Sequence, residues 1–151
     1  QATDFLVRGN LDDFELPGDH GLIRSDFPGG WEGDEVNAVS GEGLNDRQIE
    51  MQNYLKRILN YRKHSKAIHQ GLTKHFAPKD KVYVLFRTFE DEVLAVIVNK
   101  NKNSYKLDLS RFSEMQLEGK MYQDIQSGET NSWVETLTLE HPGTYWLSFK
   151  K

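Results

Sequence analysis

The sequence predicts a mainly β protein: an antiparallel β-sandwich over residues 78–151, preceded by a long helix and connector over 45–77 and an irregular glycine-rich segment over 1–44. Three observations carry that expectation. After Pro78, short runs of β-branched and aromatic residues alternate with turn-forming residues at close spacing, the pattern of a sandwich. Between 45 and 64 the apolar residues recur every three or four positions, which lines one side of a helix. In the first 44 residues no period lasts two turns, and positions 18–43 hold seven of the 12 glycines.

The lead segment comes first. Irregular stretches of this length are unusual inside a compact domain unless they line a binding site. The helix then opens at Asn45, with Gln48 three places on, the spacing of a reciprocal capping box. Met51, Tyr54, Leu55, Ile58 and Leu59 share its apolar side, and Lys56, Arg57, Arg62 and Lys63 crowd its second half, where positive charge suits the helix dipole. Ala67 and Ile68 extend it by a turn and Gly71 ends it.

Strands are expected at Val82–Thr88 and Val93–Asn99, joined by the hairpin residues Phe89-Glu90-Asp91-Glu92. Tyr105–Leu109, Met121–Ile125, Trp133–Leu139 and Thr144–Phe149 follow, punctuated by Ser127-Gly128 and His141-Pro142-Gly143. Trp133 and Trp146 fall inside these patterns and are expected in the core.

Composition removes several function classes. The 151 residues carry 19 Lys and Arg against 23 Asp and Glu, a formal charge of −4, which offers no electrostatic footprint for nucleic acid or an anionic membrane. No run approaches the ~20 apolar residues of a membrane helix. There is no cysteine, so disulfides, thiolate metal sites and cysteine nucleophiles are excluded. The five histidines lack a helical metal-binding spacing, and neither a phosphate-binding glycine loop nor a Gly-x-Ser-x-Gly elbow occurs. No cofactor is expected. A complete (β/α)₈ barrel needs about 250 residues, so the chain is too short to be one. It begins with Gln, without a signal-like segment, and we expect it to derive from a longer protein.

Five words along the chain, in order, carry a family likeness. Gly21-Leu22-Ile23-Arg24-Ser25-Asp26-Phe27-Pro28-Gly29-Gly30-Trp31 resembles the string after the last barrel strand in the α-amylase family of glycoside hydrolases, family 13, and most of all its neopullulanase and cyclomaltodextrinase group. Leu55-Lys56-Arg57-Ile58-Leu59-Asn60-Tyr61-Arg62 resembles that family's last barrel helix, with Lys66 where the family usually has Pro. Val93–Asn101, Tyr122–Glu129 and Pro142–Phe149 resemble a strand, an Asp-Leu-x-x-Gly-Glu turn and the closing strand of its C-terminal sandwich. The likeness covers residues 18–151.

The resemblance implies that the sandwich is an amylase C-terminal domain and that the helix and glycine-rich loop belong to the end of a (β/α)₈ barrel. It implies a parent that hydrolyses α-glucans with retention, through carboxylates on earlier barrel strands, so that this chain holds no catalytic residue and is inactive alone. Calcium in the parent is left open, as is its compartment, periplasm or cell envelope against cytoplasm. The loop is expected to line substrate subsites. Asp19, Arg24, Asp26 and Trp31 are the candidate substrate-binding residues. Asp19 and Arg24 stand in for the family's Asp-Pro-x-x-Arg pair, but five apart rather than four and with His20 in place of Pro. Arg24 and Asp26 are equally readable as a loop-internal ion pair, and Trp31 as either a glucose platform or a pin holding the loop to the barrel. The expected partners are an α-glucan oligosaccharide, bound through the parent, and the barrel itself. The apolar helix side alternatively makes an oligomer contact. The competing reading is a free-standing carbohydrate-binding sandwich, which requires solvent-facing aromatics such as Tyr83, Tyr105 or Trp133 in a row on one sheet.

Overall fold

A computed structural model describes residues 27–150. The chain divides into two compact units, residues 1–53 and 54–151.

Helix α1 spans Asp46–His64 and starts as its capping box requires. The Asn45 side chain accepts from the Gln48 N–H at 3.0 Å, and Gln48 Oε1 accepts from the Asn45 N–H at 2.9 Å. Two orphan donors of the first turn are thereby satisfied. The helix does not run on unbroken. Ser65 adopts an extended conformation and caps a second short helix, α2, Lys66–Gln70, which ends at Gly71 as expected.

Eight strands follow: β1 Leu72–Lys79, β2 Val82–Phe89, β3 Glu92–Asn99, β4 Tyr105–Asp108, β5 Met121–Asp124, β6 Thr130–Ser132, β7 Thr136–Leu139 and β8 Gly143–Lys150. The main sheet is fully antiparallel, in the order β1-β2-β3-β8-β5-β6, and β4 and β7 form a separate two-stranded ribbon. The mainly β, antiparallel class read from the sequence is the class observed.

Register explains the core. Val84, Ile97 and Tyr145 stand abreast on β2, β3 and β8; Phe86, Ala95 and Leu147 form the next row; Thr88, Val93, Phe149 and Tyr122 the third. Side chains alternate between faces at period two, so these rows share one face. Small Ala95 beside Phe86 leaves room for rings arriving from the other layer. Phe112, on the 3-10 turn Ser110–Met115, and Trp133 meet Phe86 and Phe149 there, with tilted and edge-to-face geometry and centroids 5.4 to 6.2 Å apart. Leu107 of β4 and Leu139 of β7 complete the layer. The opposite face of the sheet is covered at one end by α2, which packs on β2 and β3.

Two polar residues lock the turns. Asn99 is 2% exposed; its amide donates to the His141 carbonyl at 2.9 Å, and its Oδ1 accepts from the Asn101 backbone and side chain. Asp124 Oδ1 accepts from the Gln126 and Ser127 N–H groups, which closes the turn that Gly128 continues at φ +79°.

Two elements differ from expectation. The sheet begins at Leu72, ahead of Pro78, in a stretch that reads as connector. β1 is an edge strand in which Phe76 alone is half-buried, so it carries no hydrophobic alternation. Pro78 sits where the register shifts between Phe76 and Lys79, a place where its missing N–H costs nothing. Of the run Trp133–Leu139, read as one strand, only Thr136–Leu139 is strand. Trp133 turns inward, its N–H donating to the Lys120 carbonyl, and the chain passes from β6 in the main sheet to β7 in the ribbon. Trp133 is 3% exposed, as a core residue, whereas Trp146 is half-buried on the sheet's other face, with a buried Nε1 that lacks a partner.

Candidate functional site

The glycine-rich loop is held by its own short polar side chains. Gly29 and Asn37 form an isolated antiparallel bridge, and the Ala38 N–H donates to the Pro28 carbonyl at 2.8 Å. Asp34 Oδ2 accepts from the N–H groups of both Gly30 and Trp31 at 2.9 Å. Asn37 Oδ1 accepts from Val39 at 2.9 Å and Ser40 at 3.0 Å, and its N–H and carbonyl bond Glu42 and Gly41. Gln52 on α1 donates to the Ala38 carbonyl. A carboxylate collecting two successive N–H groups fixes the backbone on either side of Gly30.

That scaffold presents Trp31. The residue is 66% exposed, and its six-membered ring lies against Gly29 so closely that a Cβ there would stand 2.3 Å from it. Gly30 sits at φ +88°, and a Cβ on it would meet the Asn37 amide at 2.3 Å. The Gly-Gly-Trp sequence therefore has a local cause: the second glycine supplies the left-handed backbone and the first makes room for the ring. Phe27 and Val39, 56% and 70% exposed, add apolar surface to the same segment. An exposed indole backed by a rigid loop is chemically suited to stack on a flat apolar ligand face.

Among the four sequence-predicted residues, Trp31 is described, and its side chain is exposed. Asp19, Arg24 and Asp26 lie outside the described residues, so neither the Asp19–Arg24 pair nor the Arg24–Asp26 alternative is placed. Asp34, Asn37 and Gln52, which organise the loop, were not picked out as such from the sequence. Asp and Asn next to glycines are turn-forming residues, and that signal could have found the first two.

A second polar cluster joins the helices to the sheet. Glu92, at the start of β3, accepts from the Lys66 and Ala67 N–H groups of α2 at 2.9 and 3.2 Å and from the Ser65 hydroxyl. Tyr61 of α1 donates to Ser148 Oγ at 3.0 Å and reaches Glu92 Oε1 at 3.4 Å. Burial pushes the Tyr61 phenol above its ordinary pKa, and the Glu92 charge adds to the rise. Arg87 closes the cluster by donating to the Ala67 and Ile68 carbonyls at 3.0 and 2.7 Å. Every group here bonds another protein group, the signature of a structural joint.

The aromatics that a free-standing carbohydrate-binding sandwich would need do not form a row. Tyr83 lies half-buried on the main sheet. Tyr105 lies on the ribbon, with its hydroxyl donating to Asp80 Oδ2 at 3.0 Å, and Trp133 is in the core. Among the described residues no three His, Asp or Glu side chains are grouped to hold a metal ion.

The family model of the cyclo-malto-dextrinase C-terminal domain matches residues 73–148, just over half of the chain. Solved structures of similar fold include an α-amylase of Anoxybacillus, at 18% identity and a TM-score of 0.57 over 71% of this chain and 24% of that one. AmyP in complex with maltose aligns at 16% identity and a TM-score of 0.58, over 72% of this chain and 22% of its own. Trehalose-6-phosphate hydrolase of Bacillus licheniformis aligns at 20% identity and a TM-score of 0.58, over 78% and 21%. The chain spans less than a quarter of the length of each.

Proposed function

Because this chain belongs to the cyclo-malto-dextrinase C-terminal domain family, we propose that it is the C-terminal part of an α-glucan hydrolase and supplies a substrate-cleft loop and a stabilising sandwich. The hydrolysis itself is retaining, by a pair of carboxyl groups about 5 Å apart that form and break a glycosyl-enzyme intermediate. Those carboxylates belong to the barrel, and none of the residues from 27 to 150 takes that role. Trp31 stacks on a glucose ring of the bound glucan, with Asp34 and Asn37 holding its loop in place. Asp19, Arg24 and Asp26 contribute polar contacts to the same sugar.

One observation carries the division of labour. Helix α1 has an apolar side and no buried residue: on that side Leu55 and Leu59 are 40% and 51% exposed. A stripe of this kind requires a covering surface. The last helix of a (β/α)₈ barrel finds that surface on its neighbouring helices and strands.

The test is Trp31→Ala in the full-length enzyme, with maltoheptaose as substrate. Loss of that apolar contact, about 1.5–3 kcal/mol when the ring is covered, lowers kcat/KM by roughly tenfold or more. The melting temperature stays unchanged, because the side chain is mostly exposed. An unchanged kcat/KM would refute the cleft assignment.

A further inference from the structure

We infer that the Trp31 loop selects its sugar by charge: Glu32 and Glu35 repel anionic saccharides, so that the loop admits an unmodified α-glucan and discriminates against a phosphorylated one. Charge selection here rests on the loop lying in the substrate cleft, as proposed above.

The acidity is local. Residues 27–46 carry Glu32, Asp34, Glu35, Glu42 and Asp46 and no Lys, Arg or His, whereas residues 47–151 carry 17 Lys and Arg against 12 Asp and Glu. An acidic excess confined to one segment is not a general property of the surface. All five residues are exposed, as is Trp31. Three of them stand beside Trp31. Asp34 Oδ2 sits 2.9 Å from the Trp31 backbone nitrogen, and the Asp34 N–H donates to the Trp31 carbonyl at 3.0 Å, which closes a four-residue turn with Glu32 inside it. The ends of such a turn lie within about 7 Å of each other, and adjacent Cα atoms about 3.8 Å apart. This brings the carboxylates of Glu32, Asp34 and Glu35 to roughly one Debye length, about 10 Å at 0.1 M salt, from a ligand on the ring.

That field sorts ligands by charge. A neutral saccharide stacks on the indole without penalty. A cationic group gains from the carboxylates and from the ring face together. An anion loses on both counts, because the face of the ring is the negative part of its quadrupole. Asp34 is committed to the Gly30 and Trp31 N–H groups, which leaves Glu32 and Glu35 as the carboxylates that can be neutralised without breaking a hydrogen bond of the loop. Two such charges, acting on a phosphomonoester of charge about −2, lower its use by roughly threefold at 0.1 M salt and by more in dilute buffer.

The test uses the full-length enzyme at pH 7 with two substrates, maltoheptaose and maltoheptaose carrying one phosphomonoester, and reads the ratio of their kcat/KM values. In Glu32→Gln with Glu35→Gln, the phosphorylated substrate is expected to gain roughly threefold over the unmodified one at 0.1 M salt, and nothing at 1 M, where the Debye length is about 3 Å. Glu32→Lys with Glu35→Lys should raise the same ratio further. A ratio that stays put at 0.1 M in both pairs overturns charge selection. So does a shift that persists undiminished at 1 M, which would mark a direct contact or an altered loop. Trp31→Ala separates this outcome from failure of the cleft assignment. Reduced kcat/KM for maltoheptaose in that variant, with an unmoved ratio in the charge variants, keeps the cleft loop and overturns charge selection alone. Unchanged turnover in Trp31→Ala together with an unmoved ratio overturns both.

Discussion

Glu92→Ala is the sharpest structural perturbation available. The carboxylate accepts from two backbone N–H groups at the start of α2, from the Ser65 hydroxyl and, at longer range, from Tyr61. Removing a helix-capping acceptor costs about 1 kcal/mol, within a range of about 0.5–2. The buried Ser65 hydroxyl loses an acceptor as well, at about 1 kcal/mol net when no water replaces it, whereas Tyr61 keeps Ser148. Lys66 is exposed and water does replace the acceptor there, so the sum is about 2 kcal/mol. For a unit of this size that lowers the melting temperature by roughly 10 °C. Urea denaturation at neutral pH, compared with the unaltered chain at equal m-value, gives the number directly. Hydrogen exchange at Ile68, His69 and Gln70 locates it, because α2 should open before the sheet does. Glu92→Gln keeps an acceptor oxygen and should lose less than half as much. A loss below about 0.5 kcal/mol for the alanine variant, with α2 amides still protected, would refute the view that this carboxylate docks the helix.

Other outcomes follow from the same structure. Phe86→Ala empties the centre of the aromatic cluster and should cost about 3–5 kcal/mol by thermal or urea unfolding. Asn99→Leu removes the acceptor of two Asn101 bonds and the donor to His141 in a fully buried position, and about 2–3 kcal/mol is expected, read in the same assay. Gly30→Val forces a β-branched residue to φ +88° against Asn37; the Trp31 fluorescence should change while the urea midpoint of the sandwich does not. Tyr61 and Tyr122 both have pKa values raised by burial, with Glu92 and Asp124 adding to the rise. The folded state thus holds these protons more tightly than the unfolded one. Their contribution to stability is complete below the ordinary tyrosine value and is lost as pH climbs through the folded values. The urea midpoint should fall as pH rises from about 9 upward, and less so in Tyr61→Phe.

The sequence was most informative where side-chain pattern and local chemistry agree. Asn45 and Gln48 announced a helix start and bond each other as a capping box. Val82–Phe89 and Glu92–Asn99 were visible because both strands are buried enough to need β-branched and aromatic residues. β1 was hidden because an edge strand facing solvent needs no such pattern; its Lys74, His75 and Lys79 look like connector. The crossover at Trp133 was hidden because Trp133, Leu137 and Leu139 keep an even spacing across it, so the period never signals the change. In the loop, Trp31 stood out by its chemistry, whereas Asp34 did not. Its role as a double acceptor depends on the backbone turn at Gly30, which only coordinates reveal.

The central claim is that this chain takes part in α-glucan hydrolysis without performing the chemistry. Reducing-sugar release from β-cyclodextrin, pullulan and soluble starch by the purified 151-residue chain tests it most directly. The account predicts no release above the protein-free blank for any of the three. Turnover at enzyme-like rates, on the order of 1 per second or faster, would contradict it.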